Sequence, residues 1–379
     1  MKPHWLLGLL ALPVGFAVRK WRNDPQFGAS ARDIARWRPR ESTATYKLHQ
    51  YRNLQRTPLQ EDLGSLMGDL LGYIQAKNTQ PAAPLPVAQA NDTPFLDPGD
   101  DAVTWYGHSA LRLETGGKTI LLDPMLGEWV APVPFLGHRF PYADFEPLRH
   151  IGQIDLVVYS HDHYDHLDYD TVLAIRERTR HWLVPLGVGA HLEAWGIPPE
   201  RITQLDWWES TDLSEIAGAT FTATPARHFS GRSPSTRNKT LWCGYAIRTA
   251  NNHIYFGGDS GYGTHFAEIG RRLGPFDLTM LDSGQYHDRW RNVHMQPEEA
   301  LLAHRDLGGK TLLPIHWGGF SLSDHSWFDP VDRILRADGD DCVVSPMIGE
   351  RFTVGEADSC RDRWWEPTTP APSASAPSR

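Results

Sequence analysis

The feature that most constrains this chain is a dense cluster of histidine and aspartate directly after an apolar run. The run is DLVVYS at 155–160, the cluster is HDHYDHLD at 161–168, and a helical stretch follows at 168–180. An apolar run, a polar loop and then a helix form the pattern of a buried strand in an α/β fold. The His and Asp content of the chain would give only about 0.003 such clusters by chance, so the cluster predicts chemistry at a strand end.

The spacing within this cluster, H-x-H-x-D-H, is typical of a metal site. Its ligand-type side chains are His161, His163, Asp165 and His166. Two alternating imidazoles can bind one metal ion, while the adjacent Asp-His pair turns toward a second. Imidazole together with carboxylate suits zinc, with manganese and iron as alternatives, so the expected cofactor is two Zn2+ ions.

One loop cannot complete two metal shells, so further ligands are expected at other strand ends. Three ligand-type residues follow predicted strands: His228 after ATFTATP, Asp259 after HIYFGG, and His316 after TLLPI. Any one of them alone would be more typical of a capping or core residue. Together with the first loop they make up the inventory of a dinuclear site.

The order of these residues and the sequence motifs around them resemble the metallo-β-lactamase fold superfamily, and within it the N-acylphosphatidylethanolamine-hydrolysing phospholipase D family. The specific matches are SHDHYDHLD at 160–168 and LDWWE at 205–209, and weaker glycine-rich ones include FGGDSGY at 256–262 and IHWGGF at 315–320. The matching motifs are spread over roughly residues 100–350. The resemblance implies an α/β fold, the metallo-β-lactamase αββα sandwich, preceded here by an N-terminal helical extension.

The resemblance also implies a role for each candidate residue. The seven candidate ligands divide into two metal shells joined by a bridging carboxylate. They are His161, His163 and His228 for one ion, Asp165, His166 and His316 for the other, and Asp259 as the bridge. His294, at the head of HMQPEEAL, matches a family active-site histidine that is not a metal ligand. From the residues alone, His294 is only a histidine just before a helix.

We therefore take Asp259 and His294 as the catalytic residues. Tyr164, Gln285 and Tyr286 are the candidate substrate contacts, although the polar sequence DSGQYHDRW at 282–290 departs from the family pattern there. His108, in the matching motif WYGHSA, is expected to have a structural role, either in orienting a metal ligand from behind or in fixing a loop.

The predicted function is a zinc-dependent phosphodiesterase of the phospholipase D type. A hydroxide bridging two metal ions would cleave N-acylphosphatidylethanolamine-like phospholipids to phosphatidic acid and an N-acylethanolamine. The same ligands would serve a metallo-lactonase or another phosphodiesterase of this fold. A third hypothesis is a non-catalytic metal-binding protein of the cell envelope.

Charge is distributed unevenly along the chain. The net charge is −9, yet the segment from Met1 to Arg56 carries 11 Lys and Arg against 3 Asp and Glu, so that the remainder is strongly acidic. An acidic body repels phosphate, so nucleic acid is not an expected partner. We expect the basic segment to hold the enzyme at an anionic membrane surface, where it meets its phospholipid substrate.

Deleting residues 1–56 should then abolish membrane association and largely spare hydrolysis of dispersed substrate.

Composition also predicts the domain plan. Residues 1–18 are an apolar leader, a signal or an anchor, whose uncharged run is too short to span a hydrocarbon core of about 30 Å. Residues 19–98 form a basic, partly helical extension and linker, with a helix expected at 59–76 and a Pro- and Ala-rich linker at 81–98. Residues 99–358 form the catalytic domain, and 359–379 a disordered tail.

We expect a membrane-associated protein, on the envelope or periplasmic face, with a peripheral cytoplasmic position as the alternative. The oligomeric state stays open, a homodimer included.

Overall fold

The computed structural model describes nine stretches of the chain. These are residues 24–37, 46–58, 76–88, 100–132, 137–143, 147–339, 342–356, 360 and 362–366. Numbered along the chain, the described strands are β1 (Tyr46–Lys47), β2 (Gln50–Tyr51), β3 (Ala102–Trp105), β4 (Leu111–Thr115), β5 (Lys118–Leu122), β6 (Ile154–Val158), β7 (Thr179–Pro185), β8 (Ile202–Leu205), β9 (Ser210–Leu213), β10 (Ala219–Thr224), β11 (Gly244–Arg248), β12 (His253–Phe256), β13 (Phe276–Asp282), β14 (Gly309–Ile315) and β15 (Arg351–Thr353). The described α-helices are α1 (Ala31–Ile34), α2 (Pro147–His150), α3 (Tyr169–Ile175), α4 (Gly189–Ala194), α5 (Ser214–Ala217), α6 (His265–Leu273), α7 (Pro297–Asp306) and α8 (Asp329–Ala337).

The two large sheets share one plan, antiparallel at one edge and parallel at the other. The seven-stranded sheet has the order β15-β3-β4-β5-β6-β7-β8, with parallel pairing from β5 to β8. The six-stranded sheet has the order β14-β13-β12-β11-β10-β9, with parallel pairing from β14 to β12. Parallel strands present their carboxyl ends at one edge, which is where α/β proteins place their sites.

The residue pattern of each strand reflects how many of its faces are covered. β4 reads LRLET, in which Leu111 and Leu113 are buried while Arg112 and Glu114 are half-buried. The parallel strands β6 and β13 are buried almost continuously, because helices cover the face that the second sheet does not.

Three apolar clusters fill the interfaces between the layers. The cluster between the sheets includes Leu113, Ile120, Phe221, Phe256 and Ile315. A second joins the seven-stranded sheet to α3 and α4, and includes Val157, Trp182, Val172, Ile175 and Leu192. A third joins the six-stranded sheet to α6, α7 and α8, and includes Tyr255, Leu281, Phe266, Ile269, Leu301 and Ile334. The layers therefore follow the expected order αββα.

Two boundaries of the predicted domain plan are wrong. The disordered tail was predicted to begin at residue 359, yet Trp364 and Trp365 are buried in the cluster between the sheets. The linker was predicted to begin at residue 81, yet Leu85 is fully buried and pairs with Tyr142. Bulky apolar side chains outweigh the Pro- and Ala-rich composition at both places.

Parts of the predicted extension fall outside the described residues. The leader at 1–18, most of the helix expected at 59–76 and the tail beyond residue 366 are among these parts. Within the described residues, no helix has the length and apolar character needed to cross a bilayer. The described part of the extension includes α1 and the hairpin of β1 and β2, whose Tyr46 and Tyr51 pack into the cluster between the sheets.

The packing between the sheets predicts a clear difference between two truncations. Phe221 is fully buried between the sheets, so Phe221→Ala should lower the free energy of unfolding by about 3–5 kcal/mol. Leu302 is 45% exposed on α7, so Leu302→Ala should change it by no more than about 0.5 kcal/mol. Urea unfolding of both variants measures this, and equal losses would contradict the assigned core.

Candidate metal centre

Loops at the carboxyl ends of strands from both sheets bring all seven predicted ligands together. The loop after β6 carries four of them, His161, His163, Asp165 and His166. The other three come from the six-stranded sheet: His228 follows β10, Asp259 follows β12, and His316 follows β14 directly. The centre therefore lies where the edges of the two sheets meet.

The first cluster consists of His161, His163 and His228. The Nδ1 atom of His163 lies 2.9 Å from Nε2 of His161 and 3.1 Å from Nε2 of His228. The Oδ2 atom of Asp259 completes the group, at 3.8 Å from Nε2 of His161 and 3.7 Å from Nε2 of His228.

The second cluster consists of Asp165, His166 and His316. The Oδ2 atom of Asp165 lies 3.6 Å from Nε2 of His166 and 3.2 Å from Nε2 of His316. The same Oδ2 atom of Asp259 lies 3.1 Å and 3.3 Å from these two nitrogens. One oxygen of Asp259 thus faces both clusters, as a bridging ligand would.

These distances fit two metal ions. Ligand atoms bound tetrahedrally at about 2.0–2.1 Å from a metal lie about 3.3 Å from one another, and both clusters have this spacing. The other oxygen of Asp259, Oδ1, is buried and has no hydrogen-bond partner among the described residues. A buried carboxylate oxygen without a partner is costly unless a cation compensates it.

Outer hydrogen bonds orient three of the imidazoles toward the centre. In each of these rings Nδ1 faces an acceptor of the protein, which leaves the Nε2 lone pair free for a metal. The pairs are His161 with Oγ of Ser160 at 2.9 Å, His166 with Oδ2 of Asp123 at 2.7 Å, and His228 with the carbonyl of Val293 at 3.0 Å. The Nδ1 atom of His316 lies 3.2 Å from Oδ1 of Asp282, an ion-pair contact without hydrogen-bond geometry.

Asp123 and Asp282 are functional residues that the sequence prediction missed. Asp123 accepts hydrogen bonds from the backbone N–H of Ser160 at 2.7 Å and from its hydroxyl at 2.5 Å, besides contacting His166. Asp282 ends β13 and accepts a hydrogen bond from Nδ1 of His294 at 2.8 Å. Both follow a buried apolar run, in TILLD and LTMLD, which is the signal that identified Asp259.

Electrostatics keeps the first cluster neutral. Burial and the neighbouring imidazoles hold the pKa values of His161 and His228 well below the ordinary histidine value. Neutral imidazoles present free lone pairs, so these residues are ready to bind a metal.

The second cluster has the opposite charge balance. Burial alone would lower the pKa of His316, but the carboxylates of Asp259 and Asp282 raise it to about 10. Burial also opposes ionisation of Asp165, yet the imidazole of His166 holds the pKa of that carboxyl well below its usual range. Metal binding to the second cluster therefore displaces protons from its imidazoles.

The predicted catalytic histidine lies between the two clusters. The ring of His294 stacks on that of His316 at 5.1 Å and meets that of His228 edge-on at 5.1 Å. Its side chain is 14% exposed, so it can reach a substrate at the mouth of the centre. The catalytic role of His294 stays a prediction.

His108 fixes a loop, and it also contacts the second cluster. Its backbone pairs with the strand end at His316 and Trp317, through hydrogen bonds of 2.9 and 2.7 Å. Its buried Nε2 lies 3.1 Å from Oδ2 of Asp165. His108 therefore holds Asp165 in place as well as the loop.

The three predicted substrate contacts have structural partners instead. Gln285 is buried, with its amide bonded to the carbonyl of Phe320 and the N–H of Leu322. The Tyr286 hydroxyl donates to Asp329, and the Tyr164 hydroxyl donates to the carbonyl of Arg232. These contacts give no support to the predicted substrate role. The turn that carries Gln285 packs beneath the loop after β14.

Comparison with known proteins identifies the class. A model of the Beta-lactamase superfamily domain matches residues 118–317, more than half of the chain. A metallo hydrolase from Ignicoccus hospitalis has a similar fold, with a TM-score of 0.51 at 23% identity over 67% of this chain and 98% of that one. The protein is therefore a metal-dependent hydrolase of the metallo-β-lactamase fold, which confirms the fold predicted from the sequence.

Two relatives narrow the class to a family. The chain is 43% identical over 300 residues to an uncharacterized protein of Mycobacterium tuberculosis, covering 77% of this chain and 78% of that protein. It is 32% identical over 261 residues to N-acyl-phosphatidylethanolamine-hydrolyzing phospholipase D 1 of Caenorhabditis elegans, covering 66% and 73%. The chain belongs to the family that includes this phospholipase D.

The bridging position of Asp259 predicts that its loss empties the centre. Asp259→Ala should lower hydrolysis of bis(p-nitrophenyl) phosphate by about 100-fold or more, and it should reduce bound metal per chain. The control is Asp101→Ala, which removes a buried carboxylate that bonds Thr249 and Asn252 away from the centre. That variant should keep its metal and its turnover. Full turnover and full metal content in Asp259→Ala would contradict a dinuclear centre.

Proposed function

We propose that this hydrolase is a zinc-dependent phosphodiesterase of the phospholipase D type. Its substrates would be N-acylphosphatidylethanolamine-like phospholipids, cleaved to phosphatidic acid and an N-acylethanolamine. The observation that carries the proposal is the complete two-cluster centre in a chain 32% identical to a phospholipase D of that specificity. Zinc is the proposed metal because both clusters combine imidazole and carboxylate ligands at tetrahedral spacing, with manganese or iron as alternatives.

The chain's own residues divide the chemistry between them. Two bound metal ions would supply positive charge and a water of lowered pKa. One oxygen of Asp259 faces both clusters and would be shared by the two ions. The acceptors on Ser160, Asp123 and Val293 fix the imidazoles. Asp282 accepts the Nδ1 hydrogen of His294 and so orients its ring. The Nε2 atom of His294 is then available to orient the phosphate or to pass a proton to the leaving alkoxide.

The same centre could serve hydrolysis of an ester or of another phosphodiester. A lactone carbonyl is attacked as readily as phosphorus at two metals, so the ligands alone do not separate a lactonase from a phospholipase. Substrate specificity therefore has to be measured.

A lipid assay tests the substrate. Metal-loaded protein, incubated with N-acylphosphatidylethanolamine in mixed micelles, should release phosphatidic acid and N-acylethanolamine in equal amounts, while Asp259→Ala releases neither. A panel of lactones and cyclic nucleotides is run beside it with the same preparation. Turnover of a lactone but not of the lipid, at full metal content, would overturn the phospholipase assignment. No turnover of any substrate would favour the non-catalytic hypothesis.

We also propose that the extension docks on an anionic membrane. Leu48 is 82% exposed at the tip of the β1–β2 hairpin, and Leu54 is 53% exposed just beyond it. Lys47, next to Leu48 in the chain, and Arg52, directly after β2, are exposed as well. An apolar hairpin tip on a segment with exposed basic residues suits the interface of a membrane rich in anionic lipid.

The hairpin lies close to the metal centre. Its Gln50 donates a hydrogen bond to the carbonyl of Arg237, and the Arg237 guanidinium lies 5.0 Å from the Phe229 ring. The Phe229 ring in turn contacts His163, at 4.6 Å between centroids. Docking at the hairpin would bring the centre close to the lipid headgroups, on the envelope face or at the cytoplasmic face of a membrane.

Charge removal at the hairpin tests this docking. Lys47→Ala and Arg52→Ala should each weaken binding to phosphatidylglycerol-containing vesicles by about fivefold, and added salt should weaken binding of the wild type. Lys310→Ala is the matched control, because it removes an exposed lysine at the start of β14, the end remote from the centre. Co-sedimentation with vesicles measures all three. Salt-insensitive binding that no substitution affects would contradict docking through the hairpin.

A further inference from the structure

The described part of the extension ties together several loops around the metal centre. Residues 50–58, here called the strap, hydrogen-bond to loops after β10 and β12 and to the loop before α7. Two of its groups donate: the N–H of Tyr51 to the carbonyl of Asn238 at 2.7 Å, and Nε2 of Gln55 to Oγ1 of Thr264 at 2.6 Å. Two of its carbonyls accept: that of Arg56 from the Arg227 guanidinium at 3.0 Å, and that of Pro58 from the Asn292 amide at 2.9 Å.

Asn53 sits at the centre of the strap and binds the backbone of a predicted metal ligand. Its Nδ2 donates to the carbonyl of His228 at 2.7 Å, and its Oδ1 accepts from the N–H of His228 at 3.1 Å. The same Oδ1 accepts from the indole N–H of Trp242 at 3.1 Å. One amide thus pairs with both backbone groups of His228, as a neighbouring strand would.

His228 needs such a partner because no strand holds it. It lies four residues beyond the end of β10, in an irregular loop. Its ring is fixed separately, by the hydrogen bond of Nδ1 to the carbonyl of Val293. Val293 follows Asn292, which the strap also binds. Both the backbone and the ring of His228 therefore depend on contacts that lead to the strap.

His228 is also the ligand that closes the first cluster. His161 and His163 come from one loop of the seven-stranded sheet, whereas His228 reaches them from the other sheet. A displacement of this one backbone would open the cluster, since its Nε2 lies only 3.1 Å from His163. Groups that orient metal ligands typically contribute 10–100-fold in metal affinity.

We propose that Asn53 is a positioning residue of the metal centre, which sets His228 for the first metal ion. The strap lies outside residues 118–317, the part that matches the superfamily domain. The extension is therefore a structural component of the centre as well as the proposed membrane-docking segment. The proposal therefore changes one expectation: deleting residues 1–56, expected from the sequence to spare hydrolysis, should weaken metal binding because it removes Asn53.

Metal affinity tests the proposal without any substrate. Asn53→Ala should weaken binding of the first Zn2+ or Co2+ ion by about 10–100-fold in competition with a chromophoric chelator. The absorption spectrum of the Co2+-loaded protein should change as well. The matched control is Gln55→Ala, which removes a strap side chain that bonds Thr264 and does not contact His228. Gln55→Ala should keep the wild-type metal affinity and spectrum.

A double substitution shows whether Asn53 acts through His228. In a His228→Ala background, Asn53→Ala should produce no further loss of metal affinity, because the residue it positions is gone. Asn53→Asp keeps an acceptor for His228 and Trp242, loses the donor, and places a negative oxygen against the carbonyl of His228. It should therefore also weaken binding of the first metal ion, and it decides the matter if Asn53→Ala does not fold. Wild-type affinity in either folded Asn53 variant would overturn the proposal. Equal losses in Gln55→Ala, or a full further loss in the His228→Ala background, would overturn it too. Failure of the lipid substrate would leave these affinities unaffected.

Discussion

One oxygen of Asp259 lies within 3.8 Å of four imidazole nitrogens, two from each cluster. Such a convergence of lone pairs and one carboxylate in a buried site is costly unless cations occupy the space between them. The surrounding structure serves to maintain it. The two sheets supply rigid strand ends, and the acceptors Asp123 and Asp282 fix the rings that face the metals. The proposed hydrolysis depends on this geometry, because both metal ions must act on one scissile bond.

Contacts outside the superfamily domain complete the centre. The strap of residues 50–58 pairs with the backbone of His228, which no strand supports. The hairpin of β1 and β2, whose second strand begins the strap, exposes Leu48 next to Lys47. One short segment would thus couple two tasks, since it positions a metal ligand and presents an apolar tip to a membrane. In that arrangement the lipid surface and the reacting centre keep a fixed spatial relation.

Local patterns in the sequence predicted an α/β body and the seven candidate ligands, and the family resemblance added the αββα order. A histidine or aspartate directly after a buried strand has few other uses, and the H-x-H-x-D-H loop is dense. Asn53 could not be found in this way, because its partner His228 is 175 residues further along the chain and only the fold brings them together. The surroundings of the candidate substrate contacts could not be found in the sequence for a related reason. The amide of Gln285 satisfies buried backbone groups of the loop after β14, which lie 35 and 37 residues further along the chain.

Anomalous diffraction from crystals grown with Zn2+ would test the central claim directly. The account predicts two peaks per chain in data collected above the zinc edge, about 3.5–4 Å apart. One peak should lie among His161, His163 and His228, the other among Asp165, His166 and His316, with Asp259 between them. A single peak, or peaks away from these residues at full zinc loading, would contradict a dinuclear centre bridged by Asp259.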